Sequence, residues 1–317
     1  MHNHDEHEHH HHDTHDTKAS DIPPERMAVC PVTGDAIDTA EAEKLGHFRD
    51  VDGKRIHLCC ATCVKLFDKN PEQYIDHHLG HEHHHHISTT GTLRLKDKEH
   101  LTDNVWAFRF VTDQQVSWTP GQFIRVEIPH DHPDEEGTKR WFTISSTPHD
   151  GFIQITTRVT DTTFKRALAA LKIGEKAQLI EQPDGDFVWQ ESEKPLVFVA
   201  GGIGITPFYS MLKARGHSGQ SVSATLIYSG RTADLPFKAE FEEASKRHPE
   251  FTVQYVIGEP LTADTLTKLV PDLNASQVYI SGPEPMVEAL GKQLQQGGLA
   301  GDNLHQDFFP HYSDENY

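Results

Sequence analysis

The hydrophobic pattern of this chain changes period at Pro195, and that change limits the folds open to it. From Thr92 to about Gln190, apolar residues come in short alternating runs broken by turn residues: TLRLKD, VWAFRFV, QFIRVEI, RWFTISS, FIQITTRV and KAQLIEQ. Alternation of period two marks half-buried strands, and this spacing of turn signals predicts an antiparallel barrel. One stretch, TTFKRALAALKIG, has helical spacing, with Asp161 or Thr162 as its N-cap and Gly174 near its end. After Pro195 the apolar runs become continuous. PLVFVA, SATLIYS, FTVQYVI and QVYIS alternate with helical segments PFYSMLKAR, FKAEFEEASKR, ADTLTKLV and PMVEALGKQLQQ. Strands of that kind with helices between them predict a parallel α/β sheet.

A chain of 317 residues suggests two or three domains. The pattern divides it into a His-rich tail read as disordered (1–26), a small unit (27–76), a His-rich linker (77–90), the barrel (91–190) and the α/β domain (191–317). The formal net charge of −19 argues against a nucleic-acid partner, because phosphates need clustered Lys and Arg. No run of 18 apolar residues exists, so no membrane span is expected. The start MHNHDEHEHHHHDTHD has no apolar stretch behind a basic segment and does not read as a secretory signal. A cytoplasmic location follows as the expectation, and reduced thiols with it. Histidine numbers 25, with eight in residues 2–15 and seven in 77–86. Interspersed Asp and Glu suit both segments to loose chelation of Zn, Ni or Cu; a purification tag for the first and a solvated linker are the alternatives.

PLVFVAGGIGITPFYSML runs strand, glycine turn, helix. Gly201, Gly202 and Gly204 let a backbone approach a pyrophosphate, and the next helix offers free N–H groups to an anion. The turn is one of an ordered set: PGQF (120–123), RWFTISS (140–146), ITTR (155–158), PDGDF (183–187), GGIGITP (201–207), YSGR (228–231), ISGPEPM (280–286) and FFPHY (308–312). In this order they resemble the ferredoxin–NADP⁺ reductase superfamily over roughly residues 90–312. The resemblance implies a flavin-binding barrel joined to an NAD(P)-binding α/β domain. It implies that Arg140 holds flavin phosphates, that Phe142 lies against the isoalloxazine where the family usually has Tyr, and that Thr143 places its hydroxyl near flavin N5. Thr157 and Arg158 would follow the cofactor edge. Thr162 and Thr163 would receive the pyrophosphate, which favours FAD over FMN. Gly201, Gly202, Ile203, Gly204 and Thr206 would cradle NADH or NADPH, with Ser229 and Arg231 at the adenosine ribose. Ser281 stands where the family has Cys beside the nicotinamide, and Phe308 or Phe309 would stack on the flavin. Thr143 and Ser281 are thus the catalytic candidates. No C-x4-C-x2-C spacing of a plant-type [2Fe–2S] module is present, so electrons would leave the flavin edge directly.

All four cysteines lie in the first fifth of the chain, three of them in RIHLCCATCVKLF (55–67). They admit four readings: a disulfide, a redox relay, a metal site or small core residues. Asp52-Gly53 between HFRDV and KRIHL predicts a type I′ hairpin. CATCVKLFDKNPEQYI then reads as helical. Phe48 would lie opposite His57, and alternation would put His57 on the face of Cys59 with His47 on the other. Cys60 then points away, as a small core residue would. The unit resembles the YHS/TRASH family of small treble-clef-like α+β metal modules. That resemblance implies Cys30, Cys59 and Cys63 as ligands, with His57 the candidate fourth. Thiolates with imidazole suit Zn²⁺ or Cu⁺. A structural zinc clamp, a soft-metal transport or sensing site and a disulfide relay to the flavin stay open.

The resulting expectation is an NAD(P)H-dependent flavin oxidoreductase. Its electron acceptor is a metal ion supplied by the amino-terminal module, or a redox protein of an oxygenase or electron-transfer system. A third reading is a metal-binding protein with a degenerate reductase body, for which Phe142 and Ser281 are the departures that speak.

Overall fold

The computed structural model describes residues 22–23, 26–32, 36–51, 53–59, 63–64, 67–68, 71, 74, 91–134 and 137–308, and the backbone of Phe309. The readings on most of the amino-terminal tail, on Asp52 and Cys60, and on the linker 77–90 lie outside these residues. The chain forms two compact units, Met1–His86 and Ile87–Tyr317.

In the first unit, β1 (Met27–Val29) pairs antiparallel with β2 (Ala36–Asp38). Asp38 then caps the helix Thr39–Lys44, its Oδ1 accepting the Ala40 N–H at 3.0 Å. β3 (Phe48–Val51) and β4 (Lys54–His57) form a hairpin with Phe48 opposite His57, and Gly53 takes φ +78° in the turn. The Leu58 N–H donates to His47 O at 2.8 Å and extends the ladder by one step. Cys30, Ile37, Ala42, Leu58, Cys63 and Phe67 make up the core.

In the second unit, β5 (Gly91–Thr102), β6 (Val105–Thr112), β7 (Phe123–Glu127), β8 (Lys139–Thr143), β9 (Ile153–Arg158) and β10 (Lys176–Leu179) form an antiparallel sheet in the order β8-β7-β10-β5-β6-β9. A bridge between Ile144 and Ile155, with the Ser145 N–H on Gln154 O at 2.9 Å, ties its two edges together. The helix Thr163–Ala170 packs Phe164 and Leu168 into this core and is capped by Thr162, whose Oγ1 accepts the Lys165 N–H. It is shorter than its apolar spacing predicts. Leu171 leaves the helical region at ψ 131°, and Gly174 serves the following turn at φ +90°, its N–H on Leu95 O at 2.8 Å.

β11 (Leu196–Gly201), β12 (Ala224–Gly230), β13 (Phe251–Ile257), β14 (Gln277–Pro283) and β15 (Leu304–Phe309) form a parallel sheet ordered β13-β12-β11-β14-β15. β11 sends Leu196, Phe198 and Ala200 into one core and Val197 and Val199 into the other. The connecting helices Thr206–Ser218, Lys238–Arg247, Ala263–Leu269 and Glu284–Gln296 complete both faces. The strand order reverses between β11 and β14, where a sheet of this kind opens a crevice for ligands. Among the described residues, no helix is long and apolar enough to cross a membrane.

Two of the sequence motifs form the junction between the sheets. Phe123 of PGQF and Asp184 of PDGDF exchange backbone hydrogen bonds at 2.9 and 3.0 Å. Phe187 and Trp189 pack into the α/β core. The Gly121 N–H donates to Ser210 Oγ at 3.1 Å. Gly121 has φ +106°, and a Cβ there would stand 2.1 Å from Phe187 O. Gly121→Ala is therefore expected to destabilise the protein by about 3 kcal/mol through strain and overpacking. A lowered urea midpoint at unchanged slope checks this.

Candidate functional site

The glycine turn sits at the strand-order reversal. After β11, Gly202–Ile205 form one 3₁₀ turn that leads into the helix Thr206–Ser218, with Pro207 in its first turn. A Cβ on Gly204 would lie 2.3 Å from Ser281 O and 2.6 Å from Gly282 Cα, so only glycine lets this turn rest on the end of β14. Thr206 Oγ1 donates to Ile203 O at 3.1 Å and fixes the turn. Ser229 pairs with Gly201 across the sheet and so stands beside it, while Arg231 is exposed just beyond β12.

Ser281 is fully buried, and its Oγ donates to Asp307 Oδ2 at 3.2 Å, the two residues being register partners on β14 and β15. Burial pushes the Asp307 carboxyl up to about 6, against the pull of the Ser281 hydrogen bond, and Asp186 adds to the rise. His305 stacks on Tyr279 with centroids 4.2 Å apart, and burial pulls its pKa down. Phe308 packs against the α/β core. Phe309 pairs through its backbone with Pro283, and its side chain lies outside the described residues.

A cleft is lined by Trp141, Phe142 and Thr143 of the β8 segment, Thr156 and Thr157 of β9, and Ile203 and Thr206 of the glycine turn. Residues assigned separately to flavin and to nicotinamide thus share one small space. Thr143 is only 4% exposed there and Phe142 5%. Behind the wall, Ser145 Oγ and Thr156 Oγ1 lie 2.8 Å apart, and the Gln154 amide donates to both.

Arg140 pairs with Asp134 and donates to Gly137 O at 3.0 Å and Lys139 O at 2.8 Å, with its guanidinium 5.2 Å from the Phe164 ring. Thr163 Oγ1 donates to the same carboxylate at 3.0 Å and accepts the Asp134 N–H at 3.1 Å. Arg158 Nη1 donates to Asn104 Oδ1 at 2.8 Å. Lys165 is 6% exposed; its ammonium donates to Thr157 Oγ1 and lies 4.7 Å from the Phe142 ring.

Asp134, Lys165 and Asp307 were not singled out from the sequence. Lys165 did leave a signal, a charge three residues before Leu168 on the apolar face of its helix. Asp307 left a weaker one, an acid within a terminal strand.

In the first unit, the Sγ atoms of Cys30, Cys59 and Cys63 all lie within 4.8 Å of one another, Cys59 and Cys63 at 3.4 Å. That grouping is of a size that one soft ion would bridge. His57 is not in the group. Its Nε2 lies 3.1 Å from Glu43 Oε1, and this contact, with Arg55, holds the Glu43 carboxyl below its usual range.

The Asp307 geometry has a measurable sign. Its raised pKa means that the folded chain binds more protons than the unfolded chain between about pH 4 and 6. This contribution to stability is present below that window and lost as pH rises through it. Asp307→Asn should remove the loss, so the variant gains on the order of 2 kcal/mol relative to wild type on going from pH 4.5 to 7.5. Urea unfolding at the two pH values reads this out.

Residues 198–292 match the family described as the oxidoreductase NAD-binding domain. Flavohemoprotein A of Dictyostelium discoideum is 28% identical over 211 residues, which are 61% of this chain and 53% of that protein. The glycine betaine monooxygenase reductase subunit of Chromohalobacter salexigens is 29% identical over 228 residues, 66% of this chain and 61% of that one. The chain thus spans between half and two thirds of the length of these relatives. The flavohem-like FAD/NAD binding domain of nitric oxide dioxygenase from Vibrio cholerae superposes with a TM-score of 0.61 at 20% identity, covering 69% of this chain and 98% of that one. The chain therefore shares the fold of that two-domain structure, an antiparallel sheet followed by a parallel α/β sheet, and the latter matches an oxidoreductase NAD-binding domain over residues 198–292.

Proposed function

We propose that this chain is an FAD-dependent NAD(P)H oxidoreductase that passes electrons to a protein acceptor of the oxygenase type. The observation that carries the reading is the shared cleft, in which Thr143 and Thr157 of the sheet face Ile203 and Thr206 of the glycine turn. FAD, when bound, supplies the conversion of a two-electron donation into single-electron transfers. The residues that would hold it are the Phe142 ring edge and the Thr143 hydroxyl in the cleft, with a cation and hydroxyls at Arg140, Thr162 and Thr163 for its phosphates. Thr157 and Arg158 would hold its edge. On the other side Gly201, Gly202, Ile203, Gly204 and Thr206 would take the diphosphate of NADH or NADPH, and Ser229 and Arg231 its ribose. Ser281, fixed by Asp307, would orient the nicotinamide from the end of β14, and Phe309 would cover the flavin ring. The protein acceptor is favoured because a similar chain is named a monooxygenase reductase subunit.

A second reading of the acceptor, a metal ion, rests on the thiol cluster. Cys30, Cys59 and Cys63 would hold Zn or Cu in a YHS/TRASH-like, treble-clef-like module, and His57 would join only by leaving Glu43. The Cys cluster is the observation that favours this reading.

Thr143→Ala should keep yellow flavin bound while slowing its bleaching by NADH or NADPH about 100-fold, as loss of one positioned donor does. Anaerobic stopped-flow absorbance measures it, and an unchanged rate would remove Thr143 from the chemistry. With Cu²⁺ or Fe³⁺ chelates as acceptor, a Cys30→Ser, Cys63→Ser chain that reduces metal as fast as wild type would leave the protein acceptor alone in the field.

A further inference from the structure

We infer that a groove between the helices Thr206–Ser218 and Lys238–Arg247 is a binding site for a small aromatic carboxylate. None of the residues assigned to flavin or dinucleotide lines it, and the inference does not depend on the reductase reading. Thr206, at the start of the first helix, lines the cleft. Gly216, which lines the groove, lies further along the same helix, about 15 Å away on its axis.

The groove encloses about 340 Å³, a volume in the range of small-molecule sites. Its apolar lining comes from the buried side chains of Leu212, Val222 and Phe241, with Ala244 beside them. The Tyr209 ring lines it too, stacked on Phe237 with centroids 3.8 Å apart and set edge-on to Phe241 at 6.1 Å. Rings at right angles offer a flat ligand both a face and an edge, the contacts that aromatic groups prefer. Burial, with Glu240 adding to it, pushes the Tyr209 hydroxyl up to about 12, so it stays a hydrogen-bond donor.

Gly216 points to the same place on separate grounds. It stands within a helix, where glycine is among the poorest formers. Its φ is not positive, and a Cβ there would meet no atom within 4 Å, so neither a turn nor a close approach requires it. What its missing side chain does is leave the groove open.

Charge complementarity sets the sign of the ligand. The chain carries a net charge of −19, yet this lining holds two cations, Lys213 and Arg247, against one carboxylate, Glu240, with the imidazoles of His217 and His248 beside them. Arg247 pairs with Glu243 at 3.4 Å, and both side chains are more than half exposed. An exposed pair of this kind is weak, so the guanidinium can turn to a ligand carboxylate at small cost and hold it through two parallel hydrogen bonds. Lys213 is fixed by Asp150 Oδ1 at 2.7 Å, and an ammonium so placed keeps further donors for the ligand.

The test is calorimetric titration of the full-length chain with naphthoate, with the neutral naphthamide as control. Naphthoate is expected to bind with a Kd on the order of 0.1 mM, and the amide about tenfold more weakly. G216L fills the groove from a position that has room for a side chain, so it should abolish naphthoate binding without lowering the urea midpoint. R247Q should weaken naphthoate about tenfold and leave the amide within about threefold. Naphthoate affinity should also fall as ionic strength rises. Absence of binding at about 1 mM, equal affinity for the amide, or binding that either variant leaves unchanged would overturn the inference. Displacement of naphthoate by NADH would move it to the cleft and overturn it as well. So would self-association of the chain that G216L abolishes, because a second copy would then fill the groove. Should G216L fail to fold, as judged by circular dichroism, R247Q decides the matter, since that side chain is exposed.

Discussion

The contact on which the second unit depends is one of backbone against backbone. The turn after β11 rests on the end of β14, with Gly204 against the Ser281 carbonyl and Gly282. No side chain mediates the approach, so its geometry is set by the sheet register and by the lack of a Cβ. It places Ile203 and Thr206 at the mouth of the strand-order reversal and turns the amino end of the following helix toward the cleft. Everything assigned to the dinucleotide hangs on that seating. The second constraint is the pairing of PGQF with PDGDF, which brings the antiparallel sheet to the same helix through Gly121 and Ser210. Two local fits therefore align the two sheets around one space.

Polar groups behind the cleft are organised to a degree that bare packing would not require. The hydroxyls of Ser145 and Thr156 share the Gln154 amide, and Arg109 in turn donates to Gln154 Oε1 at 2.8 Å. A satisfied network of this kind restrains the wall more than apolar packing alone does. Ser281 and Asp307 do the same on the opposite side, with burial pushing the carboxyl's pKa up to about 6.

How legible this was depended on the range over which each interaction acts. The alternating runs and the continuous runs foretold both sheets, because burial of one face or two is written in local sequence. The hairpin register of Phe48 with His57 followed from a two-residue turn. The glycine turn was legible for the same reason. What stayed hidden was non-local. PGQF and PDGDF were read only as members of an ordered set, and the sequence did not show that Phe123 and Asp184 pair with each other some sixty residues apart. Lys165 gains meaning only when β8 and β9 bring Phe142 and Thr157 to it, and Asp307 only when β15 falls into register with Ser281. His57 was assigned by alternation, which stops being a guide where its strand stops, and Glu43 from the preceding helix reaches its ring.

The thiols of the first unit are not appended to its core; two of them are part of it. Cys30 and Cys63 pack with Ile37, Ala42, Leu58 and Phe67, with Val32, Val51, Ile56, Cys59, Val64 and Tyr74 around them. Any ion that binds the three sulfurs therefore binds the folded form of the unit in preference to the unfolded one. Its free concentration then sets the folded fraction, by the same mass action that governs any ligand of a native state. Were an ion held by the three sulfurs, its loss would loosen this unit's fold and open it to proteolysis.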